Sequence, residues 1–312
     1  MSELGAGTRG ASLGLDAIRI ASFKLNPRFF KKVQVRKVPN ENHMLFEEVT
    51  TPYAKRLDGV VRMYERISTA VSDELLQERF PLVISGDHSN AGGTIAGIKQ
   101  AYPEKRLGVI WIDAHADIHS PYTSPSGNIH GMPLATALSE DNLTCKIKNI
   151  PELTRNNWDA LKGESPRVHY GDLVYVGVRD YEKAEEYLMI RHKIPHFTVQ
   201  QVREEGIEGT VRNILGAVAD CDVIYISFDV DSMDPTVSRG TGTPVPGGFS
   251  EKEASELLNL LLEDEKVVCM EMTEINPVLD DKGNAMGEAA FRILEKVVKV
   301  INKRFKKTDA ST

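Results

Sequence analysis

Five short apolar runs, each halting at polar or ionisable side chains, constrain this chain more than any other feature. PLVIS (81–85) runs into Gly86-Asp87-His88-Ser89, and LGVIWI (107–112) into Asp113, His115 and Asp117. LVYVGV (173–178) meets Arg179-Asp180-Tyr181-Glu182, VIYISF (223–228) meets Asp229 and Asp231, and VVCMEMT (267–273) meets Glu274. Runs of this length, rich in β-branched and aromatic residues, suit strands buried on both faces of a parallel sheet. Helical patterns fall between them: 58–76, with Asp58 as a plausible cap; 90–102; 132–140; 183–192; 199–204; 207–219; 250–263; and 285–304. Strand and helix alternate without repeat, low-complexity stretch or linker. The pattern predicts an α/β fold in three layers, α/β/α, around a central, mainly parallel sheet.

In such sheets ligands sit at the carboxyl ends of the strands, where the ionisable residues of this sequence gather. Asp113, His115 and Asp117 alternate directly after one strand. With His88, Asp229 and Asp231 they make four carboxylates and two imidazoles delivered by three strand ends. Four carboxylates in one crevice repel, raising their pKa values or splaying the loops. Divalent cations remove the conflict, and a ligand set this large suits two bridged ions better than one. Oxygen-rich donors with one imidazole per ion favour Mn²⁺ over Zn²⁺, with Co²⁺, Ni²⁺ and Fe²⁺ as further options.

Composition narrows the partners. With a net charge of -7 over 312 residues, the chain is a poor match for nucleic acid or an anionic membrane. KRFKK (303–307) reads as a solvated helix end. Cys145, Cys221 and Cys269 lie far apart without CxxC spacing, which fits a reducing, cytoplasmic setting. The first residues lack the basic-then-apolar order of a signal peptide, and no apolar run approaches the roughly 18 residues of a membrane span. GAGTRG (5–10) has the wrong glycine spacing for a dinucleotide fingerprint and reads as a turn, after at most a very brief strand. Residues 141–171 read as a mixed, charged connection.

SGDHS, DAHADIHS, SFDVDSMDP and EINP, in that order, resemble the ureohydrolase superfamily, the arginase and agmatinase group. TSPSGNIHGMPL (123–134) is similar to arginases in particular. The likeness runs from the first glycines to the last helix, so residues 1–312 are expected to form one domain. It implies a dinuclear manganese centre, hydrolysis of L-arginine to L-ornithine and urea, and a homo-oligomer, trimer or hexamer. Carried over by residue, one metal would be held by His88 and Asp117, the other by His115 and Asp231, with Asp113 and Asp229 bridging. A metal-bridging hydroxide, oriented by Asp117, would attack the guanidinium carbon. Glu274 would pair with the guanidinium, and His130 would pass a proton to the leaving amine.

For the substrate tail, the resemblance implies contacts from Ser124, Ser126, Asn128, His119 and Glu182, with Thr243 beside the guanidinium site. The chain departs from arginases at two of these. Glu182 stands where they carry aspartate toward the α-amino group, and His119 where they carry asparagine toward the α-carboxylate. Ser85 also replaces a usual glycine. Glu185 reads as helix decoration, with an approach to a substrate amine as the alternative, and Asp234 as a turn residue. His43, His169, His192 and His196 read as surface or core. Alternatives are a formimidoylglutamase, agmatinase or guanidino-acid hydrolase, a two-metal phosphoesterase using Arg179 or Arg239, and a silent metal-binding scaffold. The polar 124–128 loop argues against agmatine, which lacks the carboxylate.

Overall fold

A computed structural model describes residues 1–309, with side chains through Lys306; Lys307 of the basic cluster and the last three positions of the expected 1–312 unit fall outside the described side chains or residues. Six strands form one sheet: β1 Leu82–Ile84, β2 Leu107–Ile112, β3 Leu173–Val176, β4 His196–Phe197, β5 Val223–Asp229 and β6 Val267–Thr273. Their order is β1-β6-β5-β2-β3-β4, and every pairing is parallel. The strands β2, β3 and β5 are buried at every residue, as their unbroken apolar runs predict. PLVIS differs: β1 is an edge strand and only half-buried. Its single hydrogen-bonded neighbour is β6.

Side chains alternate across the sheet. Val109 and Trp111 of β2, Tyr175 of β3 and Tyr225 of β5 join one core. That core takes in α2 (Leu57–Leu76), α3 (Ala91–Ala101), α4 (Pro133–Leu138), α5 (Glu152–Lys162) and α6 (Lys183–His192). Ile110, Ile112, Val176, Ile226 and Phe228 face the other core. It is closed by α1 (Gly14–Leu25), α7 (Val199–Glu205), α8 (Ile207–Ala217), α9 (Glu251–Leu261) and α10 (Ala285–Asp309). Two helical layers thus enclose the sheet, the predicted α/β/α arrangement. Among the described residues no helix is long and apolar enough to cross a membrane.

Several local expectations change. Arg56, in the left-handed region at φ 57°, precedes α2, and Asp58 lies within the first turn beside Arg62 rather than capping it. Residues 1–10 contain no strand. The connection 141–171 contains α5, whose buried Thr154, Trp158 and Leu161 fall at helical spacing on an otherwise charged segment. In the basic cluster Arg304 is half-buried and donates to the carbonyls of Leu262, Glu265 and Val267, clasping the end of α9 to the start of β6.

From β2 the chain moves outward to β3 and β4 on one side; it then returns to place β5 and β6 on the other. The connections leaving β2 and β5 therefore diverge, which opens a crevice at the carboxyl ends of these two neighbours. The residues after β2 and after β5 are the acidic ones.

Candidate active site

The segment after β2 turns sharply because Asp117 adopts a left-handed backbone, φ 49°. Such conformations are uncommon for a non-glycine residue and concentrate at functional sites. The carbonyl of Asp117 accepts Leu134 N–H at 3.1 Å and the His119 N–H donates to Gly131 O at 3.0 Å, closing the intervening loop. After β5, Asp229 caps its own turn by accepting Asp231 N–H at 2.7 Å, while Asp231 accepts Ala114 N–H at 3.1 Å from the neighbouring strand end. The edge strand supplies His88, followed by α3. Beyond β6, Glu274 is again left-handed, φ 65°. Its N–H donates to Gly86 O at 2.9 Å and its carboxylate accepts His88 N–H at 2.9 Å.

A strap of N-terminal residues lies beneath this edge. Ser2 O accepts Asp87 N–H at 3.0 Å, Asp87 accepts Gly5 N–H at 2.9 Å, and Gly5 O accepts His130 N–H at 3.2 Å. The approach at Gly86 is so close that a Cβ there would sit 2.0 Å from Ser2 O.

The six proposed ligands meet. His88 Nδ1 lies 2.9, 3.0 and 3.2 Å from carboxylate oxygens of Asp113, Asp117 and Asp229. His115 Nδ1 lies 3.0 Å from Asp231 and 3.5 Å from Asp113. Two groups of potential ligand atoms, His88/Asp113/Asp117 and Asp113/His115/Asp231, are each within 4.8 Å of one another and share Asp113. For all their closeness, neither His88 Nδ1 nor Asp113 Oδ2 has an aligned hydrogen-bond partner, though both are buried. Atoms that crowd together without pointing at one another are placed as ligands around a common centre would be. The donors also fit a pair of hard-to-borderline divalent ions in kind: four carboxylates, two imidazoles and no thiolate.

The electrostatics agree. Burial, then the charge of Asp113, pushes Asp231 up to about 6. Burial and the neighbouring Asp231 and Asp113 hold Asp229 well above the ordinary carboxylate range. Burial opposes charge on His88, but the surrounding carboxylates overcome it and raise its pKa. Divalent cations bound among these acids would remove the repulsion that raises them. His88 is also fixed from behind: Nε2 is 2.7 Å from Ser227 Oγ, and its ring stacks on Trp111 at 4.1 Å.

The same cleft, about 180 Å³, is lined by the sequence-predicted His119, Ser124, Ser126, Asn128, His130, Glu182, Thr243 and Glu274, and suits a small molecule rather than a polymer. His130 Nδ1 is 3.5 Å from Glu274 Oε1. Burial opposes the imidazolium, but Glu274 outweighs it and holds His130 at about 9. Thr243 Oγ1 donates to Asp231 at 3.3 Å, supporting that carboxylate from the side. In the loop, Ser124 Oγ accepts Gly127 N–H at 3.0 Å and Ser126 Oγ accepts Asn128 N–H at 3.1 Å. Gly127 is left-handed at φ 71°, and a Cβ there would come within 2.2 Å of Pro52 O.

Sequence reasoning missed four contributors. Glu185 is buried in the cleft wall, accepting the N–H groups of Ile118 at 3.2 Å and Glu182 at 3.0 Å. It is not helix decoration; burial pushes it up to about 8. Asp180 lines the cleft 3.8 Å from His115 Nε2. Lys55 donates to Asn128 Oδ1 at 2.9 Å and Ser227 orients His88. Only Asp180, placed after β3, carried a positional signal. Arg179 donates to the carbonyls of Gly177, Asp231, Ser232, Val245 and Pro246, so it is committed to the backbone rather than to a phosphate. Asp234 is a turn residue as expected, accepting Thr236 and Gly247 N–H groups. His43 and His169 are exposed, His192 stacks on Tyr170, and His196 Nε2 lies 2.8 Å from Val178 O.

Comparison with known proteins gives concordant results. The sequence model of the Arginase family matches residues 1–299. An arginase from Brevibacillus brevis is 34% identical over 307 residues, covering 95% of this chain and 94% of that protein. The solved arginase of Helicobacter pylori superposes with a TM-score of 0.78 at 29% identity, covering 96% of this chain and 97% of the other. A formimidoylglutamase from Bacillus subtilis shares the fold at a TM-score of 0.69 and 21% identity, covering 96% and 84%.

Proposed function

Because this chain belongs to the arginase family, whose named relatives act on the guanidino C–N bond, we propose that it hydrolyses L-arginine to L-ornithine and urea with two divalent ions, manganese by preference. The observation that carries this reading is the pair of ligand groups sharing Asp113, set in one cleft with His130 and Glu274. His88 and Asp117 would hold one ion and His115 and Asp231 the other, with Asp113 and Asp229 common to both. Bound there, a metal pair supplies an acidified water as nucleophile and positive charge for the developing tetrahedral centre.

The protein groups do the rest. Glu274 would present a planar carboxylate to the planar guanidinium, a match of charge and shape that would fix the orientation of the scissile carbon in the cleft. Asp117, at its left-handed turn, orients the attacking oxygen. His130, kept as an imidazolium by Glu274, holds the proton that the departing amine requires; amines leave poorly without one. Ser124, Ser126, Asn128, His119 and Glu182 receive the amino-acid end. A homo-oligomer, trimeric or hexameric, and a cytoplasmic location that three free cysteines suit, complete the reading.

The test is urea release by Mn²⁺-loaded protein from arginine, agmatine and guanidinobutyrate. Arginine is expected to be turned over with the highest kcat/KM. Turnover of another guanidino compound without urea from arginine would overturn the substrate assignment.

A further inference from the structure

His119, Glu182 and Glu185 bring together a third set of ligand atoms, separate from the two that meet at Asp113. One ring nitrogen and one oxygen from each glutamate lie within 4.8 Å of one another. His119 Nε2 is 2.6 Å from Glu182 Oε2 and 3.5 Å from Glu185 Oε2. At the strand ends the corresponding nitrogen–oxygen separations run from 2.9 to 3.5 Å. Donors bound to one divalent ion at about 2.1 Å stand roughly 3 Å apart, which both sets bracket.

The groups are also held for the task. His119 Nδ1 is fixed 3.0 Å from Thr123 Oγ1, and Nε2 is turned to the carboxylates, hydrogen-bonded to Glu182 Oε2 at 2.6 Å. Glu185 is anchored by two backbone N–H groups, one to each oxygen, and is 4% exposed. The Glu182 side chain is 57% exposed and borders the cleft. Support of a metal-binding imidazole through its second nitrogen, and of carboxylates by backbone donors, is the usual way that ligands are oriented.

We propose that His119, Glu182 and Glu185 form a third divalent-cation site at the mouth of the cleft, with coordination positions open to the substrate loop. Affinity for a given set of donors rises from Mn²⁺ toward the end of the first-row divalent series, so Zn²⁺ is a probe that fills one imidazole and two carboxylates more readily than Mn²⁺. The site is independent of the two strand-end groups, and rests on the proposed function only for its consequence. An ion there occupies the ground reserved for the substrate's ammonium and repels it, so excess Zn²⁺ inhibits competitively against arginine.

The experiment counts ions. Mn²⁺-loaded protein is equilibrated with Zn²⁺, and total bound metal per chain is read by mass spectrometry after dialysis, with folding checked by circular dichroism. Wild type is expected to hold three ions, and His119→Asn and Glu182→Gln two each. Asp229→Ala is expected to lose strand-end metal while keeping the ion at the mouth. An imidazolium shared by the two glutamates would also explain the short contacts; it requires His119→Asn and Glu182→Gln to bind as many ions as wild type, which would overturn the third site. Full occupancy in Asp229→Ala would instead count against the dinuclear reading.

Discussion

Replacing Asp231 with asparagine is expected to stabilise the metal-free protein while crippling metal binding. Asp231 is 2% exposed, and its pKa stands at about 6 in the fold against an ordinary 3.8. A raised folded-state pKa means that the fold binds more protons than the unfolded chain, so stability falls as pH climbs from about 4 through 6. Above pH 6 the cost is complete, about 3 kcal/mol from the separation of the two values. Asparagine removes that cost. It keeps an oxygen for Ala114 N–H but sets an amide NH2 where the second carboxylate oxygen accepts from Thr243 and faces His115. That loss of hydrogen bonding costs about 1–2 kcal/mol, the charge of His115 being already contained in the pKa of about 6. The net gain is about 1–2 kcal/mol, or about 2–3 °C in Tm for 312 residues. Thermal unfolding in EDTA measures it. The gross relief should halve at pH 5, where wild-type Asp231 has recovered its proton. With saturating Mn²⁺ the order should reverse, since each ion at a hundred times its Kd adds about 2.7 kcal/mol to wild type. A metal-free Asp231→Asn that melts below wild type at pH 7.5, or keeps an undiminished margin at pH 5, would show that the buried carboxylate does not carry this cost.

His130→Asn should lower kcat by about 10²–10⁴-fold with metal content unchanged; wild-type turnover would remove it from proton transfer. Ser227→Ala frees His88 Nε2 from its 2.7 Å partner and should weaken metal binding by about 10-fold or more, read by competition with a chelator. Unchanged affinity would show that Trp111 stacking alone fixes the ring. In Glu274→Gln the main group raising His130 is gone, so on the metal-free protein its NMR titration should move down from about 9. A wild-type midpoint in that variant would mean that another group holds the proton.

Much of this molecule could be read from its sequence because its chemistry is tied to strand ends. Once β2 and β5 are recognised as buried apolar runs, Asp113, Asp117, Asp229 and Asp231 are bound to surface at the same rim, since parallel strands share one carboxyl edge. Local patterning carried less. The two residues of β4 are too few to show a period. The apolar face of α5 is reduced to Thr154, Trp158 and Leu161 amid charges, so length and composition both pointed to loop. Asp58 had the chemistry of a cap, but Arg56 supplies the turn by adopting the left-handed region itself. Contacts across long separations left no local trace: Ser227 meets His88 across 139 residues and Lys55 meets Asn128 across 73. Glu185 escapes a reading from sequence because helical periodicity says which face it occupies, not that two N–H groups are waiting there.

The N-terminal strap imposes an order on folding. Ser2, Gly5 and Arg9 find their partners in Asp87, Asn90, His130 and Asn276, far along the chain. Seating the strap fully therefore requires residues as far as 267 positions apart in sequence to have been brought together. Contacts of such long sequence separation form late, because loop closure must precede them. The floor beneath His88 and His130 is thus completed only once the ends of β1 and β6 stand side by side.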